Sequence, residues 1–279
     1  TRLEWHVFEE DEKGSWVLHL IPPYYADLFV DQEPSLMQKA LSPWEYSEGG
    51  KSKFTIFTAL TLREIDRIRQ FIVDYRQLVL LGLNKNIEAY FADELDACLA
   101  LDYNYKSPAL RSEIGEWEYQ AKYNRSRKAT RQLGEKMLTA MKRFPTTALG
   151  VDTCISYVPP NPDRSNDLPR NLAEFLVKRL KKTSQVRKKA PLVYAQLEIS
   201  KPSSKRLPVS SRIKLWREII SSGAVRLSSS VAGTDVYVID DLCQSGASMW
   251  SYARYLKSVG ASRALGLVCV KTRRDTDNE

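Results

Sequence analysis

The stretch Val236-Tyr-Val-Ile-Asp-Asp-Leu-Cys-Gln-Ser-Gly-Ala-Ser248 constrains the fold more tightly than any other part of this chain. A short β-branched and aromatic run leads into two adjacent carboxylates, Asp240 and Asp241. A loop of small residues, Ser245 to Ser248, follows, and then an apolar pattern at helical spacing: Met249, Trp250, Tyr252, Ala253 and Leu256. This predicts a buried strand, an acidic edge, a tight loop and a helix start. In open α/β sheets ligands bind where strand ends meet helix starts, so the stretch predicts a site along with the fold.

Each part suggests its own chemistry. Two carboxylates at a strand end accept hydrogen bonds from sugar hydroxyls or hold a hydrated divalent cation. The loop after them presents consecutive backbone N–H groups at a helix N-terminus, an anion site to which the Ser245 and Ser248 hydroxyls add. Hydroxyl acceptors and a phosphate cradle a few residues apart suit a 5-phosphorylated ribose. The same residues also suit an ordinary strand–turn–helix in which the aspartates cap the helix.

At these positions the chain resembles the PRPP signature of the type I phosphoribosyltransferases, and within them the ComF-like (competence protein) branch. The resemblance implies that Asp240 and Asp241 face the ribose hydroxyls. It implies that Gln244, Ser245, Gly246, Ala247 and Ser248 wrap the 5-phosphate, and that Mg2+ is held indirectly at the aspartates through ribose hydroxyls or water. Two departures stand out. Tyr237 and Cys243 occupy positions that are usually aliphatic, and Gln244 stands where purine-using members carry an acid/base aspartate.

Upstream, residues 151–158 read as a buried strand ending at Pro159-Pro160, then a polar turn, then a helix with apolar Leu172, Phe175, Leu176 and Leu180. The resemblance makes Arg164 the pyrophosphate-loop cation and Asn171 the helix-start residue. Residues 190–197 read as a second strand, 201–208 as a basic loop, 210–220 as a helix, and 264–270 as a fourth strand. Alternating short apolar runs and helical patterns argue for an α/β fold with a parallel sheet flanked by helices. In type I phosphoribosyltransferases a flexible basic loop in the 201–212 interval closes over pyrophosphate. The resemblance therefore assigns that role to Lys205 and Arg206, with Lys201 and Arg212 in the same interval.

Residues 111–144 carry apolar residues at helical spacing (Ile114, Trp117, Ala121, Leu133, Met137, Met141) and predict a bridging helix. The piece 119–134 resembles the Lys-Tyr-containing segment that contributes to the hood over the acceptor base in ComF-like proteins. Trp117, Tyr119 and Tyr123 have the ring faces to stack on a base. Before it, residues 1–110 are expected to form an additional α+β domain. Strands are expected at 16–21 and 54–58, and helices at 62–83 and 88–101. Gly49-Gly-Lys-Ser52 lacks the first glycine of a phosphate-binding loop and is read as a turn. His6 and His19 lack a metal-ligand pattern. The expected organisation is thus 1–110, then a phosphoribosyltransferase-like domain 111–279 with its hood at 111–144 and its core at 145–279.

Charge sharpens the division. Residues 1–110 hold 11 Lys and Arg against 18 Asp and Glu, a net −7, while residues 111–279 hold 31 against 16, a net +15. The basic part is suited to polyanions and leaves nucleic acid open as a partner. The acidic part leaves open a protein partner or self-association. Four widely separated cysteines, two in expected buried strands, argue against a disulfide framework or a zinc knuckle and for the cytoplasm. No apolar run approaches the roughly 18 residues of a membrane span.

Two readings follow. One is a phosphoribosyltransferase that binds PRPP with Mg2+ and transfers phosphoribose to an acceptor with release of pyrophosphate. The other keeps the fold without transfer, as a PRPP- or nucleotide-sensing, nucleic-acid-associated subunit working with a partner in DNA uptake, repair or foreign-DNA defence.

Overall fold

The computed structural model describes residues 3, 5–82, 90–91, 94–141, 143–144, 152–163, 166–181, 191–200 and 207–273. The chain divides into two compact units, one of residues 1–80 with 143–146, the other of 81–142 with 147–279. A division after residue 110 falls within the second unit, inside the short hairpin strand Leu110–Arg111.

The first unit is α+β. An antiparallel sheet runs in the order β1 (Trp5–Glu10), β2 (Trp16–Ile21), β4 (Lys53–Phe57), β3 (Glu45–Tyr46). The β1–β2 turn is set by Asp11, whose carboxylate accepts from the backbone N–H groups of Lys13 and Ser15 at 2.9 and 2.7 Å. Gly49 to Ser52 lie in the turn between β3 and β4, where Ser52 donates to Ser47 at 2.6 Å, and no helix follows them. Helices α1 (Tyr24–Gln32), α2 (Pro34–Met37) and α3 (Leu62–Gln77) complete the unit, which ends in the short strand β5 (Val79–Leu80). Helix α3 starts at Thr61, where Thr61 and Glu64 form a reciprocal capping box. Its apolar stripe (Ile65, Ile68, Phe71, Ile72, Tyr75) is buried, and Phe71 meets Phe29 edge-on at 5.0 Å. His19 stacks on Phe54 at 5.1 Å, an ordinary packing role.

The second unit is α/β. Strands β6 (Ala97–Tyr103), β9 (Asp152–Tyr157), β12 (Thr234–Cys243) and β13 (Arg263–Lys271) lie in the order β6-β13-β12-β9, all parallel. Between them run the hairpin β7 (Tyr105–Ser107) and β8 (Leu110–Arg111) and helices α4 (Glu113–Tyr123) and α5 (Arg127–Met141). There follow α6 (Leu168–Leu180), the strand pair β10 (Ala195–Leu197) and β11 (Val225–Leu227), α7 (Val209–Ser221) and α8 (Ala247–Ser258). β13 is buried at all but its two end residues and β12 has no exposed residue, as expected of strands covered on both faces by crossover helices.

Several elements differ from expectation. The second half of the helix expected over 88–101 is strand β6, since the continuous run Ala97-Cys-Leu-Ala-Leu101 satisfies a doubly covered strand as well as a helix. The single bridging helix over 111–144 is two helices, broken where Arg125 takes a φ of +52°. The strand expected over 190–197 shrinks to 195–197, paired antiparallel with β11. Just ahead of it, the bridge between Leu192 and Ile155 joins the segment to the parallel sheet, and Ser156 Oγ donates to the Val193 carbonyl at 3.0 Å.

Candidate functional site

β12 is longer than its neighbour β9. The β9 pairing ends at Ile239 opposite Tyr157, and the Val158 N–H closes onto the Ile239 carbonyl at 3.0 Å. Among the described residues, from Asp240 to Cys243 the strand pairs with β13 alone. The two aspartates therefore sit where β12 outruns β9, in the strand's last four residues and not past its end. Asp240 Oδ1 accepts from the Asp241 N–H at 2.8 Å within this edge.

The loop that follows turns on Gly246, at φ +86°, where a side chain would meet the Trp250 ring at 2.8 Å. Gly246 is the N-cap of α8 and brings no side chain of its own; the Ser245 hydroxyl accepts from the Ala247 N–H at 3.4 Å, and the positive end of the helix dipole lies at the loop. Two residues of α7, one turn apart, brace the loop. Arg212, itself buried, points Nη1 at Gln244 Oε1 and Ser245 Oγ, 3.4 and 3.5 Å away, while Nε holds the Leu207 carbonyl at 2.9 Å. Trp216 Nε1 donates to Ser248 Oγ at 3.0 Å, which leaves that hydroxyl's own hydrogen to donate elsewhere. From the other side Lys271 Nζ donates to the Gln244 carbonyl at 2.6 Å.

Helix α4 brings in a residue that the motif does not contain. Ser112 caps its N-terminus, and Gly115 lets the first turn lie against the backbone of Asn104, where a Cβ would stand 2.1 Å from the carbonyl oxygen. At the C-terminal end Asn166 donates to the Ala121 and Lys122 carbonyls at 3.2 and 2.8 Å. So placed, Lys122 Nζ lies 2.7 Å from Asp241 Oδ2 and 3.3 Å from Glu118 Oε1. The Lys122 and Asp241 side chains are only 17% and 12% exposed. Burial alone would favour the neutral amine, but the Asp241 and Glu118 carboxylates reverse it and hold the ammonium above its usual range. Burial pushes the Glu118 carboxyl up, with Lys122 opposing.

These groups line one cavity of about 170 Å³: Lys122, Pro159 to Asn161, Asn166, Arg212, and the whole run from Asp240 to Met249. Asp240, Asp241, Gln244, Ser245, Gly246, Ala247 and Ser248 are thus brought together. Arg164, Lys201, Lys205 and Arg206 lie outside the described residues. Asn171 does not open its helix. α6 starts at Leu168, capped by Asp167, which accepts from the Arg170 N–H at 3.2 Å, and Asn171 lines a separate groove. Trp117, Tyr119 and Tyr123 do not line the cavity. Tyr119 instead lies under the Arg111 guanidinium at 4.3 Å. Lys122 was legible as one cation in a basic run and as the lysine of the Lys-Tyr segment expected in the hood, not as a partner of Asp241. Its signal was its place on the buried stripe of α4, with Ile114, Glu118 and Ala121.

Direct coordination of Mg2+ by Asp241 fails a simple test of fit. Magnesium demands near-octahedral oxygen at about 2.0–2.1 Å and surrenders its waters reluctantly. The Asp241 carboxylate already carries a fixed ammonium, and among the described residues no cluster of three His, Cys, Asp or Glu side chains converges elsewhere. The donor set does not fit a divalent ion at Asp241.

Two further hollows belong to the same unit. One, of about 370 Å³, lies at the ends of β6 and β13 and is lined by Asn104, Tyr105, Ser107, Pro108, Thr272 and Arg273. In it Asn104 Oδ1 and Thr272 Oγ1 are buried without a hydrogen-bond partner among the described residues. The other, of about 530 Å³, lies between the start of α5 and α6, with Arg125, Arg127, Arg131 and Lys178 around it. Its one carboxylate, Glu174, pairs with Arg170 at 3.1 Å. Among the described residues no helix is long and apolar enough to cross a membrane.

No protein-family model matches the chain, and no curated protein matches it in sequence. Among solved structures it is similar to a hypoxanthine phosphoribosyltransferase from Staphylococcus aureus at 14% identity and a TM-score of 0.32, covering 63% of this chain and 74% of that one. A hypoxanthine-guanine phosphoribosyltransferase from Bacillus anthracis matches at 11% identity and 0.32, over 52% and 68%. The hypoxanthine phosphoribosyl transferase of Trypanosoma cruzi matches at 11% and 0.30, over 57% and 67%.

Proposed function

We propose that the second unit binds a 5-phosphorylated ribose and transfers it, from PRPP, to a nucleophilic acceptor. The observation that carries this reading is the convergence, in one cavity, of the acidic edge of β12 with the loop at the start of α8. The loop N–H groups, the helix dipole and the Ser245 and Ser248 hydroxyls suit the 5-phosphate, with Arg212 behind them. The Asp240 and Asp241 carboxylates suit the ribose hydroxyls.

In the reaction the bond from C1 to the diphosphate oxygen breaks with its electron pair leaving on pyrophosphate. The acceptor's lone pair then closes on C1, and the acceptor's proton passes to solvent. Positioning and charge stabilisation carry such a step, so an amide at Gln244 is compatible with it. The hollow at the ends of β6 and β13 is the acceptor's place. Lys271 links it to the loop by donating to both the Gln244 and Thr272 carbonyls, and the Asn104 and Thr272 side chains in its wall are polar partners for a small heteroatom-bearing ring.

Calorimetric titration of PRPP, with a pyrophosphate-release assay over a panel of bases, tests this reading. Saturable binding and release, both lost in the Asp240→Ala/Asp241→Ala protein, are expected. Binding without release for any acceptor favours the sensing subunit instead. The basic groove between α5 and α6 supports that second reading, because its cations suit a phosphate backbone.

A further inference from the structure

We propose that Lys122 takes the place of a divalent cation at the acidic edge, so that this site binds its sugar phosphate without metal. The inference rests on the phosphoribose reading above and specifies how that site balances its charge.

Three features of the geometry carry it. First, the ammonium stands on the Asp241 carboxylate at 2.7 Å, inside the cavity wall, where a metal bound to that carboxylate would have to stand. Second, the lysine is built in. Its helix is capped at Ser112, seated on Asn104 through Gly115, and clamped at its last turn by Asn166. Glu118, one turn back, adds a second carboxylate at 3.3 Å, so the ammonium is held by two anions in a largely buried setting. A cation so paired is costly to remove and does not yield its position to a hydrated ion that must itself lose water.

Third, the opposite end of the cavity has its own cation, Arg212, aimed at Gln244 and Ser245. The described walls thus supply positive charge at both ends of a bound sugar phosphate. Lys122 is a positioning and charge-neutralising residue: it fixes Asp241 so that the carboxylate's remaining acceptor capacity faces the sugar.

The test is calorimetric titration of PRPP and of ribose 5-phosphate into the whole chain, in EDTA and again in excess Mg2+. The expected result is saturable binding of the wild-type protein in EDTA, with a Kd within about threefold of that in Mg2+. Lys122→Met is expected to bind at least about tenfold more weakly in EDTA and to regain affinity when Mg2+ is added, because the vacated carboxylate then accepts the ion. Lys122→Arg keeps the charge and should stay metal-independent. Wild-type binding that appears only with Mg2+ overturns the proposal while leaving the phosphoribose reading intact. No binding by the wild type under either condition overturns both. The wild-type comparison decides the matter even where Lys122→Met fails to fold.

Discussion

A methyl group on Gly246 has nowhere to go. The backbone there is at φ +86°, and the added carbon would sit 2.8 Å from two ring carbons of Trp250. Gly246→Ala must therefore unwind the loop or displace the indole, at a cost of about 1–3 kcal/mol from the backbone conformation alone. The expected outcome is a lower denaturation midpoint together with loss of phosphate-ligand affinity, read by chemical denaturation and calorimetry on the same protein. Gly246, Asp240 and Asp241 were legible because the loop's chemistry is contiguous in sequence. Arg212 was legible only as a member of a basic interval and Lys122 only as part of the Lys-Tyr segment, because each reaches the site on a helix from a distant stretch. Lys122 looks in sequence like the start of a basic run whose later members, Arg125, Arg127 and Arg131, line a different hollow. What sets it apart is its position one turn after Glu118 on an otherwise apolar stripe.

Among the elements, α3 shows how a local signal becomes stability that depends on pH. Glu64 accepts from Thr61 and from Lys39, and these bonds hold its carboxyl at about 2, below the usual value of 4.5. A carboxyl depressed in the folded state stabilises the fold above its ordinary range, and the contribution drains away as pH falls from about 4.5 towards 2. Comparing wild type with Glu64→Gln by urea unfolding, the midpoint gap should be widest near neutrality and close across that acidic interval. Thr61→Ala should cost about 1 kcal/mol at neutral pH through loss of the cap. The capping box is contiguous, so the helix start at Leu62 was readable. The helix–strand choice at residues 97–103 was not, because a short apolar run has no period of its own. The strand at 190–197 shrank for a related reason: β-branched and aromatic character marks burial in general, not membership of the main sheet.

At the scale of the molecule, charge and architecture divide the chain at different places. The sequence turns basic after residue 110, whereas the second unit begins at residue 81 and takes β6 from the acidic part. Composition follows the surface, and a strand buried in a sheet contributes little to it. If a nucleic-acid strand runs along the groove between α5 and α6, Arg127→Ala with Arg131→Ala should lower the slope of log affinity against log salt by about 2 and weaken all sequences alike. An unchanged slope removes that groove from consideration. The strand order has a consequence in time. β13 lies between β6 and β12, so β6 shares no hydrogen bonds with the β9–β12 pair until residues 263–271 arrive. A ribosome must therefore release nearly all of the second unit before its sheet can close. Until then β6 and β12 each present an unsatisfied, apolar edge, which is the interval in which a nascent chain most needs a chaperone.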